Sequence, residues 1–220
     1  MKSKFFAVLF VVLFPLSVVA GSYEDLEEAL LRNNPVAVIQ LIERGIDINT
    51  VDQQGNTLLI QSVQRDLMPL FDYLLRHRAR LNIYNKNGET ALSLAAFHGK
   101  EAYARRLIED GAELNYYGWA PLAYAAYNGH TSIVEYLLQH GADVNGITEN
   151  GSSALFFAAR SSHIDTVKLL LKYQADPNIT NENNETAVDW ALKGKNTDIE
   201  SILRKAGGRS GQSITLDIAK

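Results

Sequence analysis

The sequence predicts an all-α solenoid of about six repeats, and three observations lead there. They are a period of 33 residues, paired apolar residues at helical spacing within each period, and a recurring order of helix-starting and helix-ending residues. The period is read from Gly88-Glu-Thr-Ala-Leu-Ser-Leu-Ala-Ala-Phe-His-Gly99. It aligns with Gly118-Trp-Ala-Pro-Leu-Ala-Tyr-Ala-Ala-Tyr-Asn-Gly129 and with Gly151-Ser-Ser-Ala-Leu-Phe-Phe-Ala-Ala-Arg-Ser-Ser162. Gly55 to Gly88, Gly118 to Gly151 and Gly151 to Asn184 are each 33 residues apart. Leu74-Leu75, Leu107-Ile108, Leu137-Leu138 and Leu170-Leu171 give each repeat a helix with one apolar face, which only a neighbouring repeat can cover.

Each repeat divides into two helices by its punctuation. Thr57, Thr90, Ser153 and Thr186 stand where a first helix needs an N-cap oxygen, and Pro121 stands in a first turn, where its missing N–H costs nothing. Gly99 and Gly129 end first helices, and Gly45, Gly111, Gly141 and Gly207 end second helices, where a left-handed residue is wanted. Asp66, Ser162 and Lys195 replace the first of these glycines in other repeats, and Arg78 and Gln174 replace the second. Asn49, Asn82, Asn115, Asn145 and Asn178 are expected to stabilise turns through side-chain to backbone bonds. At the ends, Ser22-Tyr-Glu-Asp25 is expected to open the first helix as a capping box, and Gly207 to Gly211 reads as a breaker cluster.

Farther along each period, Ala79-Arg-Leu-Asn82, Gly111-Ala-Glu-Leu-Asn115, Gly141-Ala-Asp-Val-Asn145 and Ala175-Asp-Pro-Asn178 recur. Together with the segments above they resemble the ankyrin repeat, whose pattern runs G-x-T-P-L-x-x-A-A-x-x-G-H, then I-V-x-x-L-L, then G-A-D-x-N. The match stays in phase over residues 22–207. The resemblance implies helix-turn-helix repeats with a β-turn finger, in which fingers and first helices line a concave groove that holds a protein partner. The expected repeats are 22–51, 52–84, 85–114, 115–147, 148–180 and 181–207, the outer two acting as caps, within a domain spanning 21–207. A flexible tail is expected over 208–220.

One finger breaks the period. Gly88 to Gly118 is 30 residues, and the three missing residues fall between Ala112 and Gly118. The shortened stretch is Asn115-Tyr116-Tyr117-Gly118-Trp119, and the family pattern places Phe97, His98, Tyr127 and Asn128 on the groove nearby. These seven residues, Phe97, His98, Tyr116, Tyr117, Trp119, Tyr127 and Asn128, form the candidate partner-binding set, an aromatic-lined notch. Aromatic residues at a concave surface suit binding hot spots, while Tyr116 and Tyr117 could equally fold inward as packing. Trp119 is expected to face outward, and Tyr124 and Phe157 to belong to the core.

Composition narrows the function classes. The formal charge is −4 and no block of like charges occurs, which argues against nucleic acid as partner. There is no cysteine, which removes disulfides, thiolate catalysis and Cys-ligated metals. The histidines at 77, 98, 130, 140 and 163 form no metal-ligand motif, and no acid–base pair stands out, so the chain is expected to be no enzyme and to need no cofactor or metal. Lys2 and Lys4, the apolar run Phe5 to Phe14, Pro15 and Val18-Val19-Ala20 before Gly21 predict a signal peptide over 1–20, cleaved between Ala20 and Gly21 and leaving no stable membrane anchor. The mature chain is expected to be periplasmic or secreted. Three glycosylation sequons, one of them on the structural Asn178, favour a bacterial envelope over a eukaryotic secretory route. The expected function is a non-catalytic scaffold. Alternatives are an inhibitor or immunity-type protein occluding a toxin or peptidase, and a small-ligand or enzyme-assisting role at the notch.

Overall fold

The computed structural model describes residues 16–116 and 118–212, giving only the backbone for residues 16–21. Residues 1–15 of the predicted signal peptide, Tyr117 of the candidate site and residues 213–220 of the predicted tail lie outside the described residues. The chain forms two compact bodies, Met1–Asp47 and Ile48–Lys220.

In the first body α1 (Leu16–Leu31) and α2 (Pro35–Glu43) pack together, with Leu26, Ala29, Leu30, Val38 and Leu41 buried. Helix α2 begins as expected of a capped helix: Asn34 accepts from the Ala37 N–H at 3.1 Å and Pro35 fills the first turn. Ser22 does not open α1, because Leu16–Gly21 continue the helix upstream and supply the carbonyls that a cap would otherwise replace. The predicted cleavage bond Ala20–Gly21 therefore lies inside α1. Cutting there leaves a helix whose new first turn carries Glu24 and Asp25, a favourable sign for the helix dipole.

The second body is a stack of helix pairs: α3 (Leu58–Gln64) and α4 (Met68–Arg76), α5 (Ala91–Phe97) and α6 (Glu101–Glu109), α7 (Pro121–Tyr127) and α8 (Thr131–Gln139), α9 (Ala154–Arg160) and α10 (Ile164–Lys172), α11 (Ala187–Lys193) and α12 (Thr197–Lys205). Every first helix has 7 residues and every second helix 9, so equivalent residues meet equivalent residues through the stack. First helices contact first helices from α3 to α11, and second helices contact second helices from α6 to α12. The core runs along the seam as Leu59, Leu92, Leu122, Leu155 and Val188 beside Leu74, Leu107, Leu137, Leu170 and Leu203, all buried.

The punctuation works as its chemistry requires. Thr57, Thr90 and Ser153 accept from the N–H three residues on, and Thr90 with Ser93 and Thr186 with Asp189 form capping boxes. Asp66, Arg78, Ser162, Gln174 and Lys195 all hold positive φ, between 53° and 66°, at the positions where other repeats place glycine. The consensus asparagines make the expected side-chain to backbone bonds, and these bonds run between repeats. Oδ1 of Asn49, Asn82, Asn115, Asn145 and Asn178 accepts from the backbone N–H of Arg80, Glu113, Asp143, Asp176 and Arg209 in the following repeat, each at 2.8 or 2.9 Å.

That ladder continues past residue 207. Arg209 takes its last rung, Thr186 Oγ1 donates to Arg209 O at 2.7 Å, and the Gly211 N–H donates to Asp189 at 2.8 Å. Gly211 lies so close to Asn184 that a Cβ would overlap its carbonyl. Residues 208–211 are thus fastened to the sixth repeat, and the described residues of the predicted tail belong to the fold.

Left-handed backbone costs a residue with a Cβ about 1 kcal/mol relative to glycine. Gln174→Gly, at φ 66°, is therefore expected to raise stability by roughly that amount, measured by denaturant unfolding; an unchanged or lower midpoint would contradict it.

Candidate functional site

Three positions of each repeat in the second body set the first-helix face: the finger-base residue, the middle of the first helix and its last residue. The finger-base series is Asn56, Glu89, Trp119, Ser152 and Glu185; the middle series is Gln61, Leu94, Tyr124, Phe157 and Trp190; the last-residue series is Gln64, Phe97, Tyr127, Arg160 and Lys193. From the third repeat onward half of these positions are aromatic, and the rings meet. Phe97 meets Tyr124 edge-on at 5.4 Å, Tyr124 lies 5.0 Å from Trp119, and Trp119 lies 4.5 Å from Phe157. Tyr127 closes on both Trp119 and Phe157 at 6.1 Å. Phe157 passes the contact to Phe156 and then to Trp190, each step 5.7 Å. Phe156 and Phe157 are buried, while Phe97, Trp119, Tyr124, Tyr127 and Trp190 are half-buried, so the stripe shows ring surface on the third, fourth and sixth repeats and is joined through buried rings in the fifth.

Polar side chains hold the stripe at both ends. Tyr124 Oη makes a long 3.5 Å bond to Glu89, and burial together with that carboxylate pushes its phenol up. At the far end the Trp190 Nε1–H donates to Glu185 at 3.0 Å, while the Arg160 guanidinium and the Lys193 ammonium lie over the same indole at 4.7 and 4.9 Å. The Lys193 ammonium also donates to Glu185, and this bond, with another from Asn181, holds the carboxyl below its ordinary range.

The sequence-predicted residues fall into two groups. Phe97, Trp119 and Tyr127 lie on the stripe, but Trp119 does not simply face outward: it packs on the buried Phe157 of the next repeat. Tyr116 turns inward. Its ring meets Tyr84 at 5.3 Å, and its hydroxyl is buried against those of Thr90 and Ser93, whose capping box leaves it no well-formed hydrogen bond. Asn128 donates to Phe97 O at 3.0 Å, where the His130 Nε2–H also donates at 3.1 Å, so both tie one repeat to the next. His98 is exposed beside Phe97, with its imidazole pushed down by partial burial and by Lys100. His163 repeats the His130 bond, to Tyr127 O at 3.1 Å.

Among the described residues the notch has Tyr116 as its aromatic ring. The missing residues leave a cavity of about 390 Å³ between the fourth and fifth repeats. Among the described residues its walls are Asn115, Tyr116, Asp143, Asn145, Gly146 and Ile147, and its floor is Leu122, Ala123 and Ala154. Gly118 beside it holds φ 108°, a left-handed backbone that favours glycine. Sequence reasoning missed Tyr124, Trp190, Arg160 and Lys193 as surface residues; the middle-of-helix series was the signal for the first two.

Comparison with known proteins agrees with this architecture. The family model for ankyrin repeats (3 copies) matches residues 26–117, 59–148, 114–181 and 146–213. The chain belongs to the ankyrin-repeat family. Among relatives of this ankyrin-repeat chain, a poly(ADP-ribose) polymerase tankyrase of Caenorhabditis elegans is 30% identical over 100 residues, covering 43% of this chain and 4% of that protein. A B-cell lymphoma 3 protein homolog of Mus musculus is 36% identical over 78 residues, 35% of this chain and 17% of its own length. Ankyrin repeat and SOCS box protein 6 of Homo sapiens is 33% identical over 100 residues, 42% and 24% respectively. The chain thus spans less than a quarter of each of these relatives.

Two outcomes follow for the ankyrin stripe. Trp119→Ala is expected to cost about 2 kcal/mol of stability, roughly half a full core truncation because only one face of the indole is buried; an unfolding curve superimposable on wild type would refute this. Glu185 has a lowered folded-state pKa, so its stabilising contribution is present above the ordinary carboxylate value and is lost as pH falls through the lowered one. The Trp190 indole N–H resonance should accordingly move on acidification below about pH 4.3, and Glu185→Gln should abolish that movement.

Proposed function

We propose that this protein is a non-catalytic scaffold that holds a protein partner along the stripe from Phe97 to Trp190, and that it acts after export. One observation carries the first part: four half-buried rings, Phe97, Tyr124, Trp119 and Tyr127, in mutual contact on the third and fourth repeats, with a fifth, Trp190, joined to them through the buried Phe157 and Phe156. Rigid aromatic surface gives a partner much contact area at little cost in side-chain entropy. The ionisable groups that touch it, Glu89, Glu185, Arg160 and Lys193, position rings, which favours binding over proton transfer. Ankyrin repeats as a family are protein-interaction modules, and the location of the stripe on first helices follows the family's use of its groove.

Export rests on residues 1–20: two lysines, an apolar run and small residues before Gly21. The mature protein is expected to begin at Gly21 and to be recovered from the periplasm or the medium. N-terminal sequencing of the processed chain checks this, and an intact Met1 in a membrane pellet would overturn it.

Tyr127 offers the cleanest test of the scaffold. It is half-buried at the centre of the stripe and its side chain makes ring contacts alone among the described residues. With the partner captured from an envelope extract and identified by mass spectrometry, Tyr127→Ala is expected to weaken binding by about 2 kcal/mol. Lys86→Ala, on an exposed finger, should change it little, as rim charges do. Equal loss from both variants, or from neither, would move the contact surface elsewhere.

A further inference from the structure

The last residue of each first helix changes character along the stack. It is Gln64 in α3, aromatic as Phe97 and Tyr127 in α5 and α7, and cationic as Arg160 and Lys193 in α9 and α11. Lys193 is engaged by Glu185, whereas Arg160 has no carboxylate partner among the described residues. Its guanidinium is laid over Trp190, a ring fixed at its edge by Glu185 and packed on Phe156. An exposed arginine held in one orientation keeps its fork of N–H donors ready for a carboxylate, and little side-chain entropy remains to be lost when one arrives. The chain as a whole carries −4, so this end of the stripe is a cationic spot on an acidic protein.

We propose that the stripe accepts an extended acidic segment of a partner protein, with an apolar or aromatic residue over Phe97, Trp119 and Tyr127 and a carboxylate on Arg160. The proposal rests on the scaffold reading and specifies its partner. Charge complementarity selects the carboxylate. Packed helices lie about 8–10 Å apart, and an extended chain advances about 3.3 Å per residue, so the acid stands about three residues from the ring seated on Tyr127. Arg160 sets the direction of the segment, because its guanidinium has no carboxylate partner among the described residues and draws the acidic end to it.

The test selects random peptides displayed on phage against the full chain and against Arg160→Glu, with thermal unfolding confirming that each variant is folded. Wild type is expected to enrich peptides carrying Asp or Glu about three residues from an aromatic or large apolar residue. Arg160→Glu is expected to exchange that acid for Lys or Arg. A selected peptide should bind Arg160→Ala roughly tenfold more weakly. Should Arg160→Glu fail to fold, the milder Arg160→Gln carries the selection and is expected to lose the acid preference. Enrichment without acids, or the same acidic consensus on the variant, would overturn this inference and leave the scaffold reading standing. No enrichment on wild type would overturn both.

Discussion

Register between repeats is the constraint on which the rest of the second body depends, and the asparagine ladder sets it. Each rung joins a side chain of one repeat to the backbone of the next, 31 residues on in four cases and 28 in the rung from Asn115 to Asp143. That exception explains how a three-residue deletion is tolerated. Asn115 also donates through its Nδ2 to Gly141 O at 3.0 Å, so the rung is anchored at the first residue of the shortened stretch and just past the end of α8, and the missing residues fall between them. The deletion is absorbed in the finger, and helices α7 and α8 keep the same lengths and contacts as their neighbours. A loss of three residues inside a helix would instead have rotated an apolar face out of the core.

A stack held by nearest neighbours must also stop, and the sixth repeat shows how. Its charged residues stand where the other repeats place apolar ones: Glu200 aligns with the buried Phe71, Ala104, Val134 and Val167, and Arg204 with the buried Leu75, Ile108 and Leu138 and the half-buried Leu171. These two pair with each other. Leu192 remains apolar and is 44% exposed, whereas Val63, Ala96, Ala126 and Ala159 at the same position are covered by the next repeat. Residues 208–211 cover part of the same end, with Gly208 against Val188. A polar terminal face beside a fastened segment is what a one-dimensional stack needs to avoid further association.

The sequence made the fold legible because ankyrin punctuation is local chemistry. Five positive-φ residues could be named from places where glycine was due, since the backbone demands a left-handed turn whatever side chain occupies it. Contacts between repeats were less legible. The asparagines were read as turn-stabilising without a partner repeat, because spacing cannot distinguish a bond within a repeat from one to the next. Trp119 was placed outward for the same reason: a finger-base residue meets the first helix of the following repeat, as Glu89 meets Tyr124 and Trp119 meets Phe157. Ser22 was assigned as a cap because periodicity marks where an apolar face begins, not where helical backbone begins.

These cross-repeat contacts bear on how one residue can serve folding and binding together. A ring buried on one face contributes to stability through that face and leaves the other for a partner, so loss of binding on truncation is not by itself evidence of contact. Trp119 is in this position, because it bridges two repeats through Phe157 and would disturb both on removal. Arg160 differs. It touches the stripe only through Trp190 and makes no ion pair among the described residues, so its charge can be reversed with little loss of packing. Reversing a charge predicts a change in which partner is chosen, and a packing defect predicts only that binding weakens. The distinction lets a surface made of half-buried rings be assigned a partner chemistry, because the charge beside the rings can be altered without removing the rings themselves.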